Sequence, residues 1–285
     1  MDKMGRIIGI LAICSALDSL WADCVETPQG VKLEKDGKVI WNFQIDNPEK
    51  KPFIHPLNLP DGTCVTDVRP KDHIWHLGLW FCWKFINRVN YWEPVPLTGL
   101  EPAGMTIVTG REIRINGDSA DVHLSLAYRP RKRADLQPLL VEARDLRFSA
   151  PNAKGGYAIT ATHHFVAKRD VLLDRTPPRI QNETASGGYA GFTFRGSPIL
   201  AGFVKSSSCG ETSQLGAINN ERKWLQLTSP TTGHGIKFEI LQATPQSRFY
   251  HWKNNCFVNP CPVYTAPIVL KAGEKLDLSY RITVF

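Results

Sequence analysis

Apolar and polar residues alternate with a period of two along most of the chain. "GVKLEKDGKVIWNFQI" (30–45) is two alternating runs around Asp36-Gly37, and "REIRINGDSADVHLSLAY" (111–128) repeats the design around Asn116-Gly117. Such pairs between alternating runs predict β-hairpins, because these residues tolerate the positive φ of a tight turn. Further strands are expected in "GGYAITATHHFVA", "GGYAGFTFRG", "KWLQLTS", "HGIKFEILQA" and the closing "KLDLSYRITVF". No long amphipathic helix and no internal repeat is evident. With 22 Gly and 20 Pro as punctuation, many short strands predict an all-β fold, a single large antiparallel β-sandwich. No linker-like stretch divides it, so one domain is expected from about residue 25 to 285 (23–285 once a leader is removed).

That leader is residues 1–22. Lys3 and Arg6 precede an apolar run from Ile7 to Leu17, which gives way to small and polar residues ending at Ala22. This is the order of a secretory signal peptide, cleaved near Ala22. No other apolar run approaches the roughly 20 residues of a membrane helix. The mature protein is expected to be secreted or periplasmic, with no membrane partner after cleavage.

Seven Cys are present; Cys14 lies in the leader, leaving Cys24, Cys64, Cys82, Cys209, Cys256 and Cys261. An oxidising compartment permits disulfides, and Cys256 with Cys261 is the easiest local pair to imagine. No CxxC spacing suggests a zinc ribbon or redox motif. The net charge of +7 is dispersed, with "RPRKR" (129–133) the one dense run. Without a nucleic-acid motif such a run reads as a solvated loop, and no nucleic-acid partner is expected.

The densest chemistry is "RPKDHIWHLGLWFCWKFINRVNYWE" (69–93). As one strand, Trp75, Leu77, Leu79, Phe81, Trp83 and Phe85 would form an apolar core face, opposite His76, Gly78, Trp80, Cys82 and Lys84. Gly78 would leave a gap between His76 and Trp80 for a ligand. Aromatic faces beside polar groups suit a sugar ring. Asp72 and His73 precede the strand, and an imidazole beside a carboxylate is an acid/base pair.

Strand parity adds further groups. In "YAITATHHF" His163 sides with apolar residues as a core histidine, while His164 sides with hydroxyls and is expected in a polar cleft. In "GYAGFTFRG" Tyr189, Gly191, Thr193 and Arg195 share a face that reads as ligand-facing. Candidate catalytic residues are therefore His73, His76 and Asp72, and candidate substrate-binding residues are His55, Trp80, Tyr91, His164 and Arg195. His55, Asp72, His73 and His76 also make a conceivable metal set, but their spacing matches no recognised divalent site and no cofactor is expected.

"KPFIHPLNLPDG", "DHIWHLGLWFCWKFINRVNYWE", "GGYAGFTFR" and "GEKLDLSYRITV" resemble segments of a secreted bacterial family known as methane oxygenase PmoA-like, a domain of unknown function. The resemblance spans most of the mature chain. It implies a supersandwich similar to galactose mutarotase and a role in carbohydrate use. The membrane methane monooxygenase subunit is built on transmembrane helices, which the sequence lacks, so oxygenase chemistry is not expected. The leading expectation is a carbohydrate-active lyase, hydrolase or epimerase; the alternative is a non-catalytic glycan-binding module.

Overall fold

The computed structural model describes residues 22–48, 50–93, 103–131, 137–176, 187–208, 223–252 and 254–285. The leader predicted for residues 1–22 lies outside these except for Ala22, as do Cys14, Cys209 and residues 132–133 of the basic run.

In chain order the strands begin with β1 (Asp23–Thr27), β2 (Gly30–Lys35), β3 (Lys38–Gln44), β4 (Phe53–Leu57) and β5 (Leu79–Cys82). There follow β6 (Phe85–Ile86), β7 (Val89–Asn90), β8 (Gly104–Asn116), β9 (Ser119–Pro130) and β10 (Leu140–Phe148). Next come β11 (Tyr157–Ala167), β12 (Val171–Asp174), β13 (Gly191–Arg195), β14 (Val204–Ser207) and β15 (Trp224–Thr228). The last are β16 (Gly235–Gln242), β17 (Arg248–His251), β18 (Phe257–Cys261), β19 (Ile268–Leu270) and β20 (Lys275–Val284).

The fold is all-β, and the described residues form two eight-stranded sheets and one small sheet. The front sheet runs β1-β2-β3-β4-β5-β13-β18-β17 and the back sheet β14-β15-β16-β20-β11-β10-β9-β8, while β19-β12-β6-β7 form the third. Neighbouring strands pair antiparallel throughout. Aromatic contacts join the two large sheets face to face: Trp41 stacks on Phe148 at 4.2 Å, Phe192 on Tyr280 at 4.9 Å, and Phe81 meets His163 at 4.2 Å. This is the buried layer that period-two alternation demands.

The hairpins form where turn chemistry allows. Asp36 and Gly37 take φ of 51° and 72° between β2 and β3. The second turn sits one residue later than the Asn-Gly pair suggests, on Gly117 and Asp118, because β8 continues through Asn116. In β11 the predicted parity appears as Tyr157, Ile159, Ala161, His163 and Phe165 buried, with His164 exposed.

The single strand expected over Trp75–Phe85 does not form. β5 covers only Leu79–Cys82, and β6 belongs to the small sheet. Gly78, at φ 73°, ends the turn that precedes β5, and a Cβ there would stand 2.6 Å from the Ile54 carbonyl oxygen. The gap read as a ligand approach is thus filled by β4. Phe81 and Trp83 are core residues, whereas Trp75 and Phe85 are half-buried. Gly78→Ala is expected to lose at least about 1–2 kcal/mol from the left-handed backbone alone, and more from pushing β4 aside; chemical denaturation measures it.

Cys256 and Cys261, imagined as a local disulfide, are both free, as are Cys24, Cys64 and Cys82. β18 runs from Phe257 to Cys261 as extended chain, which carries the two sulfurs apart along the strand.

Candidate functional site

Three residues of the 69–93 stretch, Asp72, His73 and His76, come together with Arg195 above the outer face of the front sheet. After Pro70 the chain makes two successive turns: the His73 N–H donates to the Pro70 carbonyl at 3.0 Å, and the His76 N–H to the His73 carbonyl at 2.9 Å. Turns rather than a strand put residues three apart on the same side. The His73 and His76 rings consequently stack at 4.6 Å and 14°. Asp72 accepts from His73 Nδ1 at 2.9 Å, and from Arg195 Nη2 at 2.8 and 2.9 Å on its two oxygens. Arg195 ends β13, with its N–H bonded to the Gly78 carbonyl at 2.6 Å.

Aromatic rings surround this polar line. His76 lies 5.3 Å from both Trp80 and Phe257, 6.2 Å from Trp92, and 6.3 Å from Trp75 and Trp252. The Arg195 guanidinium packs over Trp252 at 4.9 Å. Trp92 touches Tyr189 at 5.0 Å, and its carbonyl accepts from the buried Lys51 ammonium at 2.6 Å. Nearby, Lys84 and Glu93 form a buried ion pair at 2.6 and 2.8 Å.

Burial and charge divide the labour between the imidazoles. His76 is 2% exposed; burial, then its neighbours His73, Arg195 and Lys51, push its pKa down to about 2. It is a neutral ring, and its Nδ1 is buried without a hydrogen-bond partner. Burial opposes ionisation of Asp72, but hydrogen bonds from His73 and Arg195, with the Arg195 charge, hold its carboxyl below the usual range. An ionised carboxylate only accepts, so the His73 proton sits on Nδ1 and Nε2 keeps the lone pair. His73 is about one-third exposed.

The depressed His76 pKa links stability to pH. Below about pH 6.5 the unfolded chain takes up a proton that the folded chain refuses until about pH 2. This contribution is therefore complete above about pH 6.5 and declines as pH falls, by at most about 1.4 kcal/mol per pH unit. Urea unfolding between about pH 8 and pH 5 should show that decline, and His76→Phe should make it shallower, leaving the part that comes from His163 and His55, whose pKa values burial also lowers; an unchanged slope would exclude His76 as a contributing group.

The other candidates, Trp80 apart, lie outside this polar cluster. His55, on β4, bonds through Nδ1 to Thr66 Oγ1 at 2.9 Å; burial lowers its pKa, partly offset by Asp67. Tyr91, proposed to stack a ligand, is 1% exposed and packs on Tyr128 in the core. His164 is on the outer face of the back sheet, with both large sheets between it and Arg195, bonded to Asp277 at 2.8 Å and 3.8 Å from Asp145. Trp80, 2% exposed, forms the floor under His76 rather than an open platform. Among the described residues no three His, Cys, Asp or Glu side chains converge as a metal set.

Trp252, Phe257 and Lys51 were not anticipated. Trp252 stands in "HWKNNCF", which lacks alternation, and Lys51 precedes a proline. Neither carries a local signal, because the place of Trp252 comes from pairing of β17 with β18 and β18 with β13, and that of Lys51 from pairing of β4 with β5.

A family model matches residues 30–285. The chain belongs to the family of unknown function DUF6807. No curated protein matches it in sequence. Among solved structures it is similar to the galactosidase domain of an alpha-galactosidase-sucrose kinase, at 10% identity and TM-score 0.42, covering 91% of this chain and 41% of that one. A galactose mutarotase-like protein from Lactobacillus casei is matched at 11% identity and TM-score 0.38, with 93% and 100% covered. The alpha-galactosidase from Lactobacillus brevis is matched at 10% identity and TM-score 0.35, with 94% and 40% covered. This DUF6807 chain thus spans about two-fifths of the length of those two galactosidase chains.

Proposed function

We propose that the protein is a carbohydrate-active enzyme that moves a proton on a sugar, with His73 as the general base or acid. The observation that carries the reading is the Asp72–His73 hydrogen bond standing beside a cluster of indole rings, with His73 Nε2 left as the basic nitrogen. A carboxylate on Nδ1 fixes the tautomer and stabilises the imidazolium that forms when Nε2 takes a proton. Aromatic faces bind the apolar face of a sugar ring while polar groups meet its hydroxyls. Arg195, stacked on Trp252 beside the dyad, supplies fixed positive charge where an enolate or oxyanion would develop.

Epimerase or lyase chemistry fits this better than hydrolysis. Glycoside hydrolysis by two carboxyl groups needs one of them protonated, whereas Asp72 is held ionised and Glu93 is closed in an ion pair with Lys84. The amino-terminal segment adds export to the proposal, and an exported protein whose intact mass still includes residues 1–22 would overturn that part.

The activity is tested by incubating purified protein in deuterium oxide with neutral sugars and uronates. Nuclear magnetic resonance then follows deuterium entry at ring carbons, anomer interchange and unsaturated products. Exchange lost in His73→Ala is the expected result. Binding without any exchange or product would make the protein a glycan-binding module instead.

A further inference from the structure

We infer that the ligand is a sugar bearing a carboxylate, a uronate, whose anionic group is received at Arg195. The inference rests on the carbohydrate reading and narrows it to an acidic sugar.

Buried charge around His76 is unbalanced. Lys51, Lys84 and Arg195 are 7%, 5% and 7% exposed, and Glu93 is the buried carboxylate among them. Glu93 is committed to Lys84. The Lys51 ammonium donates to a carbonyl, that of Trp92. A carbonyl carries no full charge to neutralise it. Arg195 shares Asp72, but that carboxylate is half in solvent, where water weakens its pull.

Donors are also unused. Arg195 Nε and Nη1 are buried with no hydrogen-bond partner among the described residues, and His76 Nδ1, donor or acceptor according to its tautomer, is likewise unpartnered. Native proteins rarely leave buried donors unmade, and each one calls for a missing acceptor. A guanidinium with open N–H groups suits a planar carboxylate. The rings of Trp252 and His73 lie beside it, where the pyranose bearing that carboxylate would rest. The lowered His76 pKa agrees in sign, since Arg195 and Lys51 both contribute to it.

The chemistry gains from this placement. A proton next to a carboxylate becomes removable when a cation stabilises the enolate that forms. Arg195 and His73 flank Asp72 on either side, which puts the cation and the base on the same ligand.

The test titrates matched pairs, galacturonate against galactose and glucuronate against glucose, into the full chain by calorimetry at low and physiological salt. Acetate and inorganic phosphate serve as free-anion probes. At least one uronate is expected to bind about tenfold or more tightly than its neutral partner, with a preference that shrinks as salt rises. Arg195→Met should erase the preference, and Arg195→Lys should keep part of it; circular dichroism confirms that each variant folds. Equal binding of acid and neutral sugar would overturn the inference and leave the carbohydrate reading standing. Binding of acetate or phosphate as tight as the uronate would overturn it in favour of a free-anion site. Binding of no sugar would overturn both readings. A preference retained in folded Arg195→Met would remove Arg195 as the receiving group.

Discussion

Glu142→Ala should destabilise the fold by about 3–5 kcal/mol, the cost of breaking a buried ion pair by removing one partner. Glu142 lies between the two large sheets, where Oε1 accepts from Arg144 Nε at 2.6 Å and His163 Nδ1 at 2.7 Å, and Oε2 accepts from Arg144 Nη2 at 2.9 Å and from the Tyr128 hydroxyl. Glu142, Arg144 and His163 are all at most 2% exposed. Burial by itself would raise the Glu142 pKa, but the Arg144 charge and the His163 hydrogen bond hold it low. The Ala variant would strand the guanidinium over the Phe81 ring with no counter-charge. As the contrast, Arg147→Ala breaks only an exposed pair with Asp121 and should stay within about 0.5 kcal/mol. Urea denaturation of both variants decides it, and equal losses would show that the buried network does not set stability.

On the proposed reaction, His73→Ala should lower turnover by about 10²–10⁴, the range of a lost general acid or base. The fold should be spared, because His73 is partly exposed. His76→Ala should also slow the reaction, by about 10²-fold, for a different reason: it removes the ring on which His73 stacks and so misplaces the base. The two effects are separable by denaturation, since the loss of a buried His76 also costs stability and the loss of His73 does not. Turnover in His73→Ala equal to the parent protein would move the chemistry away from this dyad.

Strand-level order was legible because alternation follows directly from the two-residue repeat of a β-strand. β11 shows it residue by residue: His163 faces the core and His164 faces solvent. The sequence marked Asp72, His73, His76, Trp80 and Arg195, together with His55, Tyr91 and His164, as one functional neighbourhood; the first five do meet, whereas Tyr91 and His164 lie apart from them. It misassigned their setting, because a strand was drawn through Trp75–Phe85 where a turn ends at Gly78. Parity has meaning only inside a continuous strand, so residues before that break had no readable face.

What the sequence determined by itself was therefore local and periodic: the all-β class, the hairpin at Asp36-Gly37, the buried side of β11, and a dense acid/base and aromatic block. What only tertiary structure decided was which distant residues share a surface. Arg195 reaches Asp72 across 123 positions, and Trp252 and Phe257 close around His76 through the pairing of β13 with β18. Pairing of β11 with β10 and β20 left His164 on the far sheet, and Tyr91 packs in the core. Strand order is selected by burial summed over whole faces, and no local run of residues records that sum.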